Sequence, residues 1–295
     1  MIILSGLVLV IGAVALGFLL EKGQLLVLVQ PAELIIIAGA ALGIVLVSNP
    51  PRNLKNLGSA LMTVFKRSPY SRAFYIDVLK LLYVLLSYAQ RQGVASLEEH
   101  VEQPESSRIF GDYPAIASDP GALAFLCDSI RMVTSTGIGA DDMDRLMAVD
   151  VEVQRTGRQQ PVNALLNVAD SLPGLGIVAA VLGVVVTMQA LGGPASEIGQ
   201  KVAAALVGTF LGILLCYGVV GPVATNIQNR TRSRMEVLLV LRTGLVASLR
   251  GCSPIVAAEF ARRSIPEELR PPFVEMETEL RRNTRLPAVK QAETA

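Results

Sequence analysis

Few residues in this chain have the type and spacing needed for chemistry, and those few exclude more reactions than they permit. There is one histidine, His100, in a polar stretch. Histidine-based triads and multi-histidine metal sites are therefore out of reach, and His100 reads as a solvated helix residue. No lysine completes a Gly-Lys-Ser/Thr phosphate loop, so energy from nucleotide hydrolysis would have to come from elsewhere. We expect no enzymatic activity, no metal and no cofactor. The side chains that stand out are the hydroxyls Thr187, Thr209 and Thr225 and the prolines Pro173 and Pro222, all in or beside long uncharged runs, with Glu33 at the edge of another. Proteins that move ions normally keep a carboxylate or similar group at membrane depth. Either this chain moves no ion, or a partner subunit supplies the carboxylate.

The uncharged runs define the elements that hold these residues. Of the 295 residues, 52% are hydrophobic and only 17% charged, against about 25% charged in ordinary soluble domains. The runs are Ile2 to Leu20, Leu34 to Val47, Leu172 to Leu191 and Val202 to Asn229. About 20 apolar residues cross a bilayer core. The second run reaches that length only with Ala32, Glu33 and Ser48, which puts its upper end among the headgroups. The first run has neither a basic leader nor a small-residue cleavage site and reads as a retained helix. The expectation is an all-α integral membrane protein with four transmembrane helices and long cytoplasmic helical extensions. Twelve of the 26 Lys and Arg residues lie from Arg52 to Arg158 and twelve from Arg230 to Lys290; the other two are Lys22 and Lys201, in the short connections. Charges near the span ends set orientation. Arg52, Lys55, Lys66, Arg67, Arg155, Arg158, Arg230, Arg232 and Arg234 all place both termini and the long middle segment in the cytoplasm. Four regions follow: 1–48 (spans one and two), 49–171 (a cytoplasmic helical domain), 172–225 (spans three and four) and 226–295 (a cytoplasmic helical tail). The net charge of +1 leaves no basic face for nucleic acid. Cys127 and Cys252 fall in the reducing compartment and Cys216 in span four, so no disulfide is expected.

The cytoplasmic segments read as helices. Phe74, Ile76, Val78, Leu81, Leu82, Leu85 and Leu86 recur at helical spacing, and Gly93 ends that helix. Ser96 with Glu99 forms a candidate capping box. Pro104, Pro114 and Pro120 break the next stretch. Residues 121–159 are helical with an interruption near Gly137 and Gly139, and Asp141, Asp142 and Asp144 stand at a helix start. Helix resumes from about Asn226 to Leu249 and again from Ile255 to Arg263; beyond Arg285 the pattern fades, as in a disordered end. No Gly or Pro interrupts Asn226 to Leu241, so the fourth membrane helix should extend well into the cytoplasm, and the same extension is expected of residues 140–191 up to Pro173. Small residues four apart (Ala13 and Gly17, Gly39 and Gly43, Ala179 and Gly183, Gly208 and Gly212) suit close helix packing. Pro173 and Pro222, near the cytoplasmic ends of spans three and four, each remove a helix hydrogen bond and create either a static kink or a hinge.

Taken in order along nearly the whole chain, these features resemble the MotA family, the A subunits of the bacterial flagellar stator, within the MotA/TolQ/ExbB proton channel superfamily. The residues carrying the resemblance are Gln30-Pro31-Ala32-Glu33-Leu34 with Ala38-Gly39-Ala40 and Asp170-Ser171-Leu172-Pro173 with Gly176-Ile177-Val178-Ala179-Ala180-Val181. Val207-Gly208-Thr209-Phe210-Leu211-Gly212-Ile213-Leu214 with Gly221-Pro222, then Ser96-Leu97-Glu98 and Arg270-Pro271-Pro272-Phe273, complete the match. The resemblance implies a bacterial inner-membrane protein forming a pentameric ring of A subunits around a dimer of MotB. The single membrane helix of MotB would carry the ion-binding aspartate, and ion flow would push on the rotor protein FliG. It also implies a rotor-facing charge set. Glu98 matches directly and Asp150 keeps an acidic charge, but the position of a family arginine is Gln90 here, with Arg91 next to it, a rotation of about 100° around a helix.

For the coupled ion the resemblance points to the proton. Sodium-type relatives carry threonine where this chain has Ala180 and a Thr-Thr pair where it has Gly208-Thr209. Sodium needs several oxygen ligands, whereas a proton can ride on a carboxylate. Ala180, Thr209, Pro173 and Pro222 are thus the expected ion-pathway and conformational residues. Two other readings are an ExbB/TolQ-like energising subunit for envelope transport, against which the fourth run and the Gln30–Leu34 motif count, and a purely structural membrane scaffold.

Overall fold

The computed structural model describes residues 2–189 and 192–282, and the chain divides into two units that each gather residues from separated stretches. In chain order come α1 (Ile2–Leu20), α2 (Pro31–Ser48) and α3 (Pro51–Val64). Then follow α4 (Arg72–Gln92) and the short α5 (Glu98–Glu102), α6 (Arg108–Gly111) and α7 (Pro114–Ala117). The remainder are α8 (Pro120–Thr136), α9 (Ala140–Met188), α10 (Ala195–Leu214), α11 (Gly221–Leu249), α12 (Pro254–Arg263) and α13 (Phe273–Arg282).

The first unit comprises Met1–Arg67 and Gly157–Arg230. Pro31 opens α2 at the helix position where a missing N–H costs nothing. At its other end Asn49 Nδ2 donates to the Val45 carbonyl at 3.0 Å, and Pro50-Pro51 stops the helix. Eighteen residues give α2 a length of about 27 Å, slightly short of a bilayer core of about 30 Å. Around α1, α2 and the second halves of α9 and α10, large apolar side chains stay exposed, among them Val8, Leu9, Ile35, Val47, Val181 and Leu206. A helix apolar on all sides belongs in lipid or against another subunit. Inside the unit, Ile37, Ala41, Val168, Ala169, Leu172, Ala179 and Cys216 form one small core. Leu57 and Val64 of the amphipathic α3 join Val162, Leu165, Ala224 and Ile227 in a second.

The second unit comprises Ser68–Thr156 and the chain from Thr231 onward. Its centre is α4, capped by Ser71, whose side chain accepts from the Phe74 N–H at 3.3 Å, and ended by Gly93 at φ +87°. Tyr75, Val78, Leu79, Leu81, Leu82 and Leu85 are essentially sealed from solvent within the large core that α8, α11, α12 and α13 help to build. Lys80 Nζ meets Glu279 of α13 at 2.6 Å. Asp119 caps α8 by accepting from the N–H groups of Gly121 and Ala122, receives the Tyr70 hydroxyl at 3.0 Å and pairs with Arg234 at 2.6 Å. The acids at the start of α9 are held by α11, with Arg242 to Asp144 at 2.6 Å and Arg250 to Asp141 at 3.1 Å.

Five helical stretches among the described residues are long and apolar enough to cross a membrane, one more than the sequence reading expected. The additional one is α4, whose most apolar window is 56% buried, against 0–33% for the others, because it is the core helix of the second unit. Other expectations need amending. Ser96 and Glu99 form no capping box: Ser96 Oγ donates back to the Gly93 carbonyl at 2.7 Å, and α5 begins only at Glu98. His100 is half-buried rather than solvated, with Nδ1 2.9 Å from Ser107 Oγ and its ring edge-on to Tyr88. Burial holds it below the usual imidazole range, although the nearby Glu99 carboxylate acts in the opposite direction. The expected long helices are present. α9 continues through Pro161 and beyond Pro173 to Met188, and α10 to α11 is helical from Ala195 to Leu249. The weakly patterned end beyond Arg285 lies outside the described residues.

Candidate functional site: a glycine-lined helix crossing with a buried carboxyl

Within the first unit α9 and α10 cross at backbone distance. A Cβ placed on Gly212 would stand 2.5 Å from the Leu172 carbonyl oxygen and 2.9 Å from the Gly176 Cα. One placed on Gly176 would meet the Gly208 carbonyl oxygen at 2.8 Å, and one on Gly183 would meet the Ala205 Cβ at 2.7 Å. Real side chains do not come this close, so these positions need glycine to let the two helices touch. Of the four small-residue pairs seen in the sequence, the pairs of α9 and α10 make this crossing. Gly17, Gly39 and Gly43 have nothing within 4 Å.

Ala180 and Thr209 flank the crossing and are half-buried. The Ala180 backbone nitrogen lies 3.2 Å from where a Gly208 Cβ would be, and the Thr209 Cα lies 3.2 Å from a Cβ on Gly176. The other two hydroxyls are committed locally: Thr187 Oγ1 donates to the Gly183 carbonyl at 2.8 Å and Thr225 Oγ1 to Gly221 at 3.1 Å. Into the same crossing α2 sends a side chain that the sequence reading placed only at a span edge. Glu33, in the first turn of α2, is 6% exposed. Its Oε2 is 3.0 Å from the position of a Gly208 Cβ, and its Oε1 is 3.5 Å from that of a Gly183 Cβ. Hydroxyls and backbone are therefore not all that this chain offers at the crossing. The one signal in the sequence was a glutamate three residues into an apolar helix; the glycines that close over it come from other helices.

Pro173 sits inside α9, half-buried. Pro222 follows a π-helical turn, Leu215–Val220, that joins α10 to α11. There the Gly221 N–H donates to the Cys216 carbonyl five residues back, and a Cβ on Gly221 would lie 2.8 Å from that oxygen. Pro222 has no N–H to continue the ordinary ladder, so the preceding turn widens. An open cavity of about 500 Å³ adjoins it, lined by Asp170, Cys216, Gly221, Pro222 and Asn226 among others. Pro173 is not among that lining, so the two prolines are placed on separate helices without forming one site.

The expected rotor-facing residues all fall in the second unit. Arg91, in the last turn of α4, and Glu98, the first residue of α5, are both exposed, as is Gln90. Neither Arg91 nor Glu98 is in an ion pair among the described residues. Asp150, on α9, is half-buried and accepts from Gln154 Nε2 at 3.1 Å. No group of three or more His, Cys, Asp and Glu side chains able to hold a metal occurs among the described residues.

Comparison with known proteins agrees with this arrangement. Residues 4–93 match the family described as motility protein A N-terminal, and residues 121–239 match the MotA/TolQ/ExbB proton channel family. The chain is 40% identical to motility protein A of Escherichia coli and 39% identical to that of Salmonella typhimurium, in each case over 95% of both chains. Its fold is similar to chains of two solved complexes, MotAB of C. jejuni (TM-score 0.76, 18% identity) and the flagellar MotAB stator complex of Bacillus subtilis (TM-score 0.74, 22% identity). Each likeness covers 90% of this chain and 96% of the other. With the N-terminal match, the channel-family match and the full-length identity all in one order along the sequence, this chain belongs to the motility protein A family, the A subunits of the flagellar motor stator.

Proposed function

We propose that this chain works as the A subunit of a proton-driven stator, in a ring of copies around a dimer of a MotB-type partner. The observation that carries this reading is the chemistry of α9 and α10. From residue 172 to 188 and from 202 to 220 there is no Asp, Glu, Lys, Arg or His, and the only other ionisable side chains are Cys216 and Tyr217, yet the two helices are packed backbone to backbone by glycine. Such a wall can guide an ion that rides on a carboxylate supplied by a partner helix; alone it offers no sequence of binding sites. The four apolar stretches formed by α1, α2, the outer part of α9 and α10 cross the membrane. α4 stays in the cytoplasm with the segments 49–171 and 226–295 and with both termini, as the positions of Lys and Arg indicate.

In this reading Pro173 and Pro222 are the points where α9 and the α10–α11 rod change shape during the cycle. Arg91, Glu98 and Asp150 present charge to a rotor protein of the FliG kind, and Ala180 with Gly208-Thr209 lacks the threonine hydroxyls with which sodium-type relatives would ligate the ion. An ExbB/TolQ-like energising role is disfavoured by the N-terminal match over residues 4–93. The test is a strain deleted for its stator genes. Restored swimming and co-purification of this chain with the cognate MotB-type subunit are expected. Co-purification without any swimming would favour the energising role, and the absence of both swimming and co-purification would refute the proposal as a whole.

A further inference from the structure

Glu33 is the one acidic side chain buried in the membrane unit among the described residues, and its Oε2 has no hydrogen-bond partner. The residues seen beside it carry no side-chain donor. Those met around its carboxyl are Gly183 and Gly208, with Ala205 and Ala179 beside them. Nearby polar side chains are committed elsewhere, Gln30 Nε2 to the Val27 carbonyl at 3.0 Å and Thr187 Oγ1 to Gly183 at 2.8 Å. No Asp, Glu, Lys, Arg or His faces it from α2, from residues 172–188 of α9 or from residues 202–214 of α10, and Lys201, at the start of that helix, is held by Glu197 at 3.1 Å. A buried carboxylate without a donor is costly, and native structures keep one where it is used. The space is also specific: a side chain at residue 208 would need the volume that Oε2 occupies.

We propose that Glu33 is a second carboxyl on the ion route, a proton-binding site in the A subunit at the outer end of α2. It takes a proton from hydronium entering on that side and passes it inward to the partner's carboxylate. In the first step hydronium gives its proton to a Glu33 oxygen and becomes water. In the second the neutral acid gives the same proton to the partner's carboxylate and Glu33 returns to its charged form. No electrons move. Neutral, the group is cheap to bury at a glycine crossing; charged, it needs a donor, which entering water provides. The alternation between those two conditions is what a relay requires. This inference rests on the stator reading above.

The test uses the full-length chain with its partner in a stator-deleted strain, comparing wild type, E33Q and E33D by bead-assay speed at low and high load across external pH, with complex yield by co-purification. At low load ion transit limits speed; at high load the driving force does. E33Q keeps the shape but binds no proton. It should assemble in normal yield and keep high-load torque, while low-load speed falls by about ten-fold or more, since a lost proton-transfer group typically costs about 10²-fold or more in the step it serves. Its speed should also respond differently to external pH, and E33D should recover most of the loss. Low-load speed of E33Q equal to wild type at every pH would overturn the proposal. So would an equal loss at both loads accompanied by a lost complex, which would make Glu33 a packing residue. If the wild-type chain itself failed to restore swimming, the stator reading would fall first and independently of Glu33.

Discussion

Replacing Gly212 by alanine should loosen the membrane unit, and the size of the effect can be worked from the crossing. The added Cβ would lie 2.5 Å from the Leu172 carbonyl oxygen, 2.9 Å from the Gly176 Cα and 3.1 Å from the Gly176 nitrogen. All three are backbone atoms of α9, so no rotamer change relieves the clash. Non-bonded carbons rest about 3.5–4.0 Å apart, so the helices must separate by roughly 1 Å, and neighbouring contacts from Gly208 to Ala179 and Gly183 to Ala205 loosen with them. Overpacking of this kind costs about 1–3 kcal/mol. Alanine is also the better helix former by about 1 kcal/mol, which would mask part of the loss. Gly174→Ala provides the correction: it lies on α9, is exposed and meets nothing within 4 Å, so it gains the same propensity without the clash. The difference between the two variants then isolates the crossing. The assay is resistance of the detergent-solubilised complex to thermolysin over a temperature ramp. G212A should be digested at clearly lower temperature than G174A, and G174A should match or exceed wild type. Equal curves for the two variants would refute the argument that α9 and α10 depend on backbone contact.

Three further outcomes are expected. Reversing Arg91 or Glu98 singly should weaken torque mildly, since exposed pairs contribute about 0–1 kcal/mol each, whereas the double reversal should be severe and rescued by complementary rotor charges; unimpaired motility of the double variant would remove both from the mechanism. Swimming speed should persist when external sodium is replaced by potassium at fixed pH and membrane potential, and a collapse reversed by sodium would defeat the proton assignment built on Ala180 and Gly208. The hydrogen bond and charge of Lys80 hold the Glu279 carboxyl below the usual glutamate range. A depressed carboxyl stabilises the fold above its unfolded value and stops doing so as pH falls through the folded one. Wild type should therefore exceed E279Q in stability at neutral pH, the gap closing on acidification through the glutamate range; a gap independent of pH would show that the contact acts by packing alone.

Much of this was legible because the determining physics is local. Uncharged runs located α1 and α2, the second of them bounded by prolines, period 3.6 located α4, and Gly93 and Gly137 marked turns where the backbone adopts positive φ. Part of the family resemblance, the stretches 176–181 and 207–214, rested on residues that the structure brings together at the α9–α10 crossing. What was not legible depends on burial. α4 has the composition of a span but fills a core, and only its partners α12 and α13 distinguish the two. Ser96 could have capped α5, but the chain spends its hydroxyl on the end of α4 instead. Glu33 looked like an edge residue because linear position gives depth along a helix and says nothing of which neighbours close over it.

The π turn at Leu215–Val220 also bears on how this sequence can change. A π turn holds one residue more than the α ladder around it, so α10 and α11 are in phase with their respective neighbours only because that residue is present. Deleting any single residue there would let the turn relax to ordinary helix while rotating everything downstream by about 100°. Ala224 and Ile227, now packed with Leu57, Val64, Val162 and Leu165 inside the first unit, would swing away from those partners together. Point substitutions in this stretch are local events, but a one-codon deletion would be felt along the whole of α11. A second, compensating length change farther along the helix could restore the phase, so insertions and deletions in α11 should occur in relatives as matched pairs.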